Sequence, residues 1–98
     1  MECQQIIDRL RENEHALRQR GVAHAALFGS HARGDARTDS DIDIMIEIEP
    51  SRSMGVFEYV GIVQSIEDMF PARVDVADRT RLKPHVRPSA EREAVYAF

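Results

Sequence analysis

Nine residues, Asp41 to Glu49, alternate without interruption. Asp41, Asp43, Met45, Glu47 and Glu49 fall on one side, and Ile42, Ile44, Ile46 and Ile48 on the other. A period of two marks a β-strand with one buried aliphatic face and one polar face. The register is strongly specified, because a slip of one residue would turn all four isoleucines to water. Pro50 ends the strand. Such a strand needs partners in a sheet and helices over its aliphatic side. The 98 residues suffice for both within one domain, 1–98.

The rest of the chain supplies those neighbours. Residues 3–20 read as an amphipathic helix, with Cys3, Ile6, Ile7, Leu10 and Leu17 at helical spacing and Gly21 as its stop. Val22 to Phe28 is a short apolar run, read as a buried strand ending at Gly29. Ser30 can cap a short helix over His31–Asp35, and Thr38-Asp39-Ser40 reads as a loop. A second long helix, capped by Ser53, is expected over about 54–70, with Phe57, Val60, Val63, Ile66 and Phe70 as its stripe. Arg73 to Ala77 is a third strand, with Val74 and Val76 on one face and Asp75 on the other. Residues 79–88 carry Pro84 and Pro88 and read as irregular. A last helix, capped by Ser89, takes in Ala94, Val95 and Phe98. The order predicts an α/β (α+β) sandwich, a small mixed sheet with helices covering one face.

Composition narrows the function. The chain is 43% hydrophobic and 31% charged, the balance of a globular protein, and carries a net charge of −4. A chain that lives on nucleic-acid backbones is usually basic, so direct nucleic-acid binding is not expected. A mononucleotide escapes that objection, because its metal ions carry the compensating charge. Cys3 is the one cysteine, which leaves no intrachain disulfide and no cysteine-based metal site. His15, His24 and His85 are scattered without ligand spacing. No stretch approaches the roughly 20 apolar residues of a membrane span, and no signal-peptide core is visible, so a cytoplasmic protein is the default expectation.

The chemistry concentrates in residues 29–44. Asp41 and Asp43, two apart on a strand, share a face with Cα atoms roughly 7 Å apart. Their carboxylates can converge on magnesium, which takes oxygen ligands and leaves room for substrate phosphates. Taken alone, the same pair reads as the solvated face of an edge strand. Upstream, Gly29 at a strand end permits a positive φ and close backbone approach, and Ser30 adds a hydroxyl donor. Taken alone, Gly-Ser is an ordinary turn, and no Gly-Lys-Ser/Thr follows to make a Walker-type loop.

Gly29-Ser30, then Ala32-Arg33-Gly34 and Ser40, then Asp41-Ile42-Asp43, together resemble the signature of the polymerase-β-type nucleotidyltransferases. The short chain is most similar to their minimal (MNT) branch. The resemblance implies a small mixed sheet with the active cleft on the face away from the helices. It implies transfer of a nucleoside monophosphate from a triphosphate, ATP in the leading reading, to a hydroxyl. It implies two Mg2+ ions held by three acids: Asp41, Asp43 and a third on a following strand. Asp75 fits that third position, and Asp78 competes for it. Gly29 and Ser30 would hold the nucleotide. Arg33 would contact phosphate or brace the loop, and Arg37 reads as a solvated loop residue. His31 stands outside the pattern and reads as a surface residue.

No residues remain for a domain that would place the acceptor. Minimal members often act as antitoxins that adenylylate an all-helical HEPN ribonuclease toxin, typically on a tyrosine, and this is the leading expectation. The alternatives are a non-enzymatic antitoxin acting by complex formation, and transfer to a small-molecule hydroxyl.

Overall fold

The computed structural model describes residues 1–98. In chain order it contains α1 (Cys3–Glu12), α2 (Glu14–Gln19), β1 (Val22–Phe28), α3 (Ser30–Arg33), β2 (Ile42–Ile48), α4 (Val56–Glu67), β3 (Val74–Asp78), a 3-10 turn (Arg79–Arg81), α5 (Arg87–Glu93) and β4 (Val95–Tyr96). The four strands form one mixed sheet in the order β3-β2-β1-β4. β1 pairs antiparallel with β2 and with β4. β2 and β3 run parallel and are joined through α4, as parallel neighbours require a crossover. The expected fold class, a small mixed sheet with helices on it, is the one observed. No helix is long and apolar enough to cross a membrane.

The alternation in β2 does what the sequence demands. Ile42, Ile44 and Ile46 are fully buried, together with Ile6, Leu10, Leu17, Leu27, Ile62 and Ile66, in one core beneath the helices. Burying a side chain of this size is worth about 1.5–3 kcal/mol, so these isoleucines pin the strand, and with it the phase of Asp43. The face opposite the core is not bare. α5 crosses it and seats Ala90 on Ala26 and Met45, which is why Met45 is buried although it shares a side with the acids.

Three local expectations are corrected. The helix over 3–20 is two helices, broken at Asn13, whose side-chain amide donates to the Arg9 carbonyl and so ends the first one. The helix expected over 54–70 runs Val56–Glu67, entered through Gly55 rather than Ser53. The last helix ends at Glu93, with Ala94 already extended, so Ala94, Val95 and Phe98 are not helical. Val95 and Tyr96 pair instead with Leu27 and Ala26 on the free edge of β1. A β-branched and an aromatic residue suit a strand, and the long-range pairing overrides the helical spacing.

Candidate active site

The sheet register brings two of the expected acids side by side. Asp43 is the Cα partner of Asp75 across the parallel β2–β3 pair, and of Phe28 across the antiparallel β1–β2 pair. Paired residues share a face, so Asp43 and Asp75 stand together on the face away from the isoleucine core. Asp41 precedes β2 by one residue and is exposed. Asp78 pairs with Ile46, three residues further along β3 and therefore on the opposite face. Its side chain is only 10% exposed, and its carboxylate accepts from the Thr80 amide and hydroxyl, which caps the 3-10 turn.

Gly29 closes the group from the other side. It follows Phe28 directly, with φ +75°. A Cβ at this position would collide with Oδ2 of Asp43, so the turn and the carboxylate touch. Glycine is required here twice, for the backbone angle and for the missing side chain. Ser30 then opens α3, and the amides of its first turn have no intrahelical acceptor. Arg33 ends that helix, ion-paired with Asp35 and with Glu93 of α5. Arg37 lies in the following loop, and its backbone N–H donates to the Ser40 hydroxyl.

Electrostatics single out Asp43. Its carboxyl is pushed above the ordinary aspartate range by burial first, then by the negative charges of Asp75 and Asp41. His31 and Arg33 offset part of that rise. Asp41, Asp43 and Asp75 offer an all-oxygen donor set suited to a hard divalent cation such as magnesium, which would relieve the repulsion felt at Asp43. They are not gathered into a closed cluster of three ligands in this structure. The two largest cavities, about 550 Å³ each, lie elsewhere, near Gly21 and Arg52 and between Leu82 and Glu91, while Asp41 and Asp75 are exposed.

His31 corrects the sequence reading. It is not a surface residue: it is only 7% exposed, and its Nδ1 is buried without a hydrogen-bond partner. Its burial follows from where the four-residue α3 packs against β1 and β2, which no local sequence pattern records.

A nucleotidyltransferase-domain family model matches residues 3–97. The chain belongs to the nucleotidyltransferase family. The protein adenylyltransferase MntA of Thermococcus cleftensis is 33% identical to it over 88 residues, covering 89% of this chain and 87% of the relative. A solved structure provisionally described as a minimal nucleotidyltransferase is 28% identical and superposes with a TM-score of 0.77, covering 97% of this chain and 95% of the other. A chain from a structure of tri-AMPylated Shewanella oneidensis HEPN toxin in complex with MNT antitoxin shares the fold, with TM-score 0.60 at 18% identity, covering 91% of this chain and 70% of that one.

Proposed function

We propose that this nucleotidyltransferase is an antitoxin that transfers AMP from ATP to a hydroxyl, a tyrosine in the leading case, of a HEPN-type ribonuclease toxin. The observation that carries the chemistry is the pairing of Asp43 with Asp75, against Gly29, on one open face. The acceptor class rests on the relatives: one is named a protein adenylyltransferase, and one fold neighbour comes from a complex of an AMPylated toxin with its antitoxin.

In this reading the acceptor oxygen attacks the α-phosphorus. The new oxygen–phosphorus bond forms as the bond to the β-phosphate oxygen breaks, and pyrophosphate leaves with that electron pair. Two Mg2+ ions held by Asp41, Asp43 and Asp75 would neutralise the triphosphate and acidify the acceptor hydroxyl. The chain's own groups position the reactants. Gly29 lets the backbone approach the phosphates, Ser30 donates to them, and Arg33 adds a guanidinium at the rim. Asp75, the more exposed of the paired acids, accepts the acceptor's proton. Transfer of this type asks mainly for positioning and charge stabilisation, which a domain of this size can supply.

An acidic face with Asp41 and Asp75 exposed suits an acceptor presented by another protein. The test is to incubate the protein, a candidate HEPN toxin and labelled ATP, with and without magnesium. Metal-dependent label on the toxin, absent with Asp41→Ala/Asp43→Ala, is the expected result. No label on the toxin at any metal concentration sinks the proposal.

A further inference from the structure

Arg33 is bracketed by two carboxylates from different parts of the chain. Its Nε donates to Asp35 Oδ2 at 3.1 Å, and its Nη1 donates to Glu93 Oε2 at 3.0 Å. Nη2 makes neither bond and is the free edge of the guanidinium. The two anchors differ in exposure. Asp35 lies in the loop after α3 with its side chain 62% exposed, whereas the Glu93 side chain is 28% exposed.

Glu93 owes its fixed place to the fastening of α5 at both ends. At the start of the helix Arg87 donates to Glu91, and Arg79 bridges Glu91 to Glu47 on β2. In the middle Ala90 is buried on Ala26 and Met45. Beyond the helix the Ala97 amide donates to the Ala25 carbonyl at 2.8 Å, and Arg11 Nε donates to the Ala97 carbonyl at 2.9 Å. α5 is thus a strap tied across the face that carries Asp43, and its last residue, Glu93, reaches Arg33 at the end of α3, the helix that follows the Gly29-Ser30 turn. Arg33 also lies near enough to Asp43 for its charge to be felt there.

We infer that Glu93 is a positioning residue for nucleotide transfer: by holding Nη1 of Arg33 it fixes the guanidinium so that its free edge meets a nucleoside triphosphate at the Gly29-Ser30 turn. The inference rests on the nucleotide-transfer reading above. An arginine has four rotatable side-chain bonds, and one already held loses less freedom when it binds phosphate. The bland account is a half-exposed ion pair that serves only to hold α5 down, and such pairs contribute little.

A double-mutant cycle separates the two. Magnesium–ATP affinity is measured by calorimetry on the full chain, alongside KM and kcat for AMP transfer. The variants are Glu93→Ala, Glu93→Gln, Arg33→Ala and the double Glu93→Ala/Arg33→Ala. Glu93→Ala is expected to weaken ATP binding by about 3- to 10-fold, the scale of ordering one long side chain. KM should rise in step, and kcat should stay within about 2-fold. In the Arg33→Ala background Glu93→Ala should add nothing. Glu93→Gln keeps the volume and one acceptor, so it should fall between wild type and Glu93→Ala, and it stands in for the alanine variant should that one melt early. Unchanged or tighter binding in Glu93→Ala overturns the inference, and tighter binding would mean that Glu93 competes with phosphate for Arg33. The same loss with and without Arg33 also overturns it. Wild-type protein that binds ATP but labels no protein acceptor defeats the proposed function alone, because the calorimetric cycle still decides Glu93. Wild-type protein that binds no ATP overturns both.

Discussion

Asp43 carries the conflict between stability and chemistry. Burial and two neighbouring acids hold its carboxyl above the ordinary range, so the fold disfavours the ionised form that the reaction needs. The sign for stability follows. A raised folded-state pKa favours the fold while the group is protonated, and that advantage is lost as pH rises through the folded-state value. Above it, the folded protein bears the cost of the charge. Asp43→Asn removes that cost and should raise Tm at neutral pH by about 2 °C or more, a fraction of the 4–8 °C that about 1 kcal/mol shifts in a domain of this size. The gain should fade as pH falls toward the ordinary aspartate value, and AMP transfer should drop by at least about 10²-fold at every pH. Thermal melts across pH 4–8, with a transfer assay at each point, check both. Gly29→Ala makes a complementary case. The new Cβ meets Asp43 Oδ2 at a backbone angle that alanine resists. A loss of about 1–3 kcal/mol in denaturant unfolding, together with loss of transfer, is expected. Gly29 and Asp43 were readable in the sequence because each serves a local rule, a turn and an alternation. His31 was not, since its burial comes from where a four-residue helix lands against the sheet, which no local pattern records.

At the scale of elements, strand phase separates Asp75 from Asp78. Three residues along a strand is an odd step, so the two acids face opposite ways: Asp75 beside Asp43, and Asp78 beside Ile46 over the helical face. Their variants should therefore fail differently. Asp75→Ala should lose transfer by about 10²-fold or more with Tm unchanged or slightly raised, because its carboxylate repels Asp43. Asp78→Ala removes a nearly buried acceptor from the Thr80 amide and hydroxyl. It should cost about 1–2 kcal/mol in unfolding while leaving folded protein that still transfers AMP. Melting curves and initial rates on both variants give the comparison. The elements that the sequence revealed are those whose own residues decide them. The alternation of β2 and the apolar run of β1 are of this kind. β4 is not, because Val95 and Tyr96 become a strand only through the free edge of β1, some seventy residues away in the chain. The split of the first helix was likewise hidden, since Asn13 ends it through a single side-chain bond to the Arg9 carbonyl.

For the whole molecule, the question is how a domain this small would inhibit a toxin in the proposed role. The acids lie on an open face at one end of the sheet, outside the isoleucine core, so removing them should leave the fold and most of the surface intact. Asp41→Ala/Asp43→Ala therefore separates catalysis from contact. In cells producing a HEPN toxin, wild-type protein should restore growth, and the double variant at matched expression should not. In purified form the variant should still co-elute with the toxin on a sizing column, because carboxylates at a catalytic rim contribute little to affinity compared with a buried interface centre. Toxin recovered from the wild-type pairing should carry added AMP by mass spectrometry, and toxin from the variant pairing should carry none. Full rescue by the double variant would instead make inhibition a matter of occlusion. The acidic face would then be a nucleotide site that serves the complex rather than the reaction. The catalytic reading is favoured because Asp43 and Asp75 stand side by side against Gly29, the placement that metal-assisted transfer from a nucleoside triphosphate requires and that simple occlusion of a partner does not.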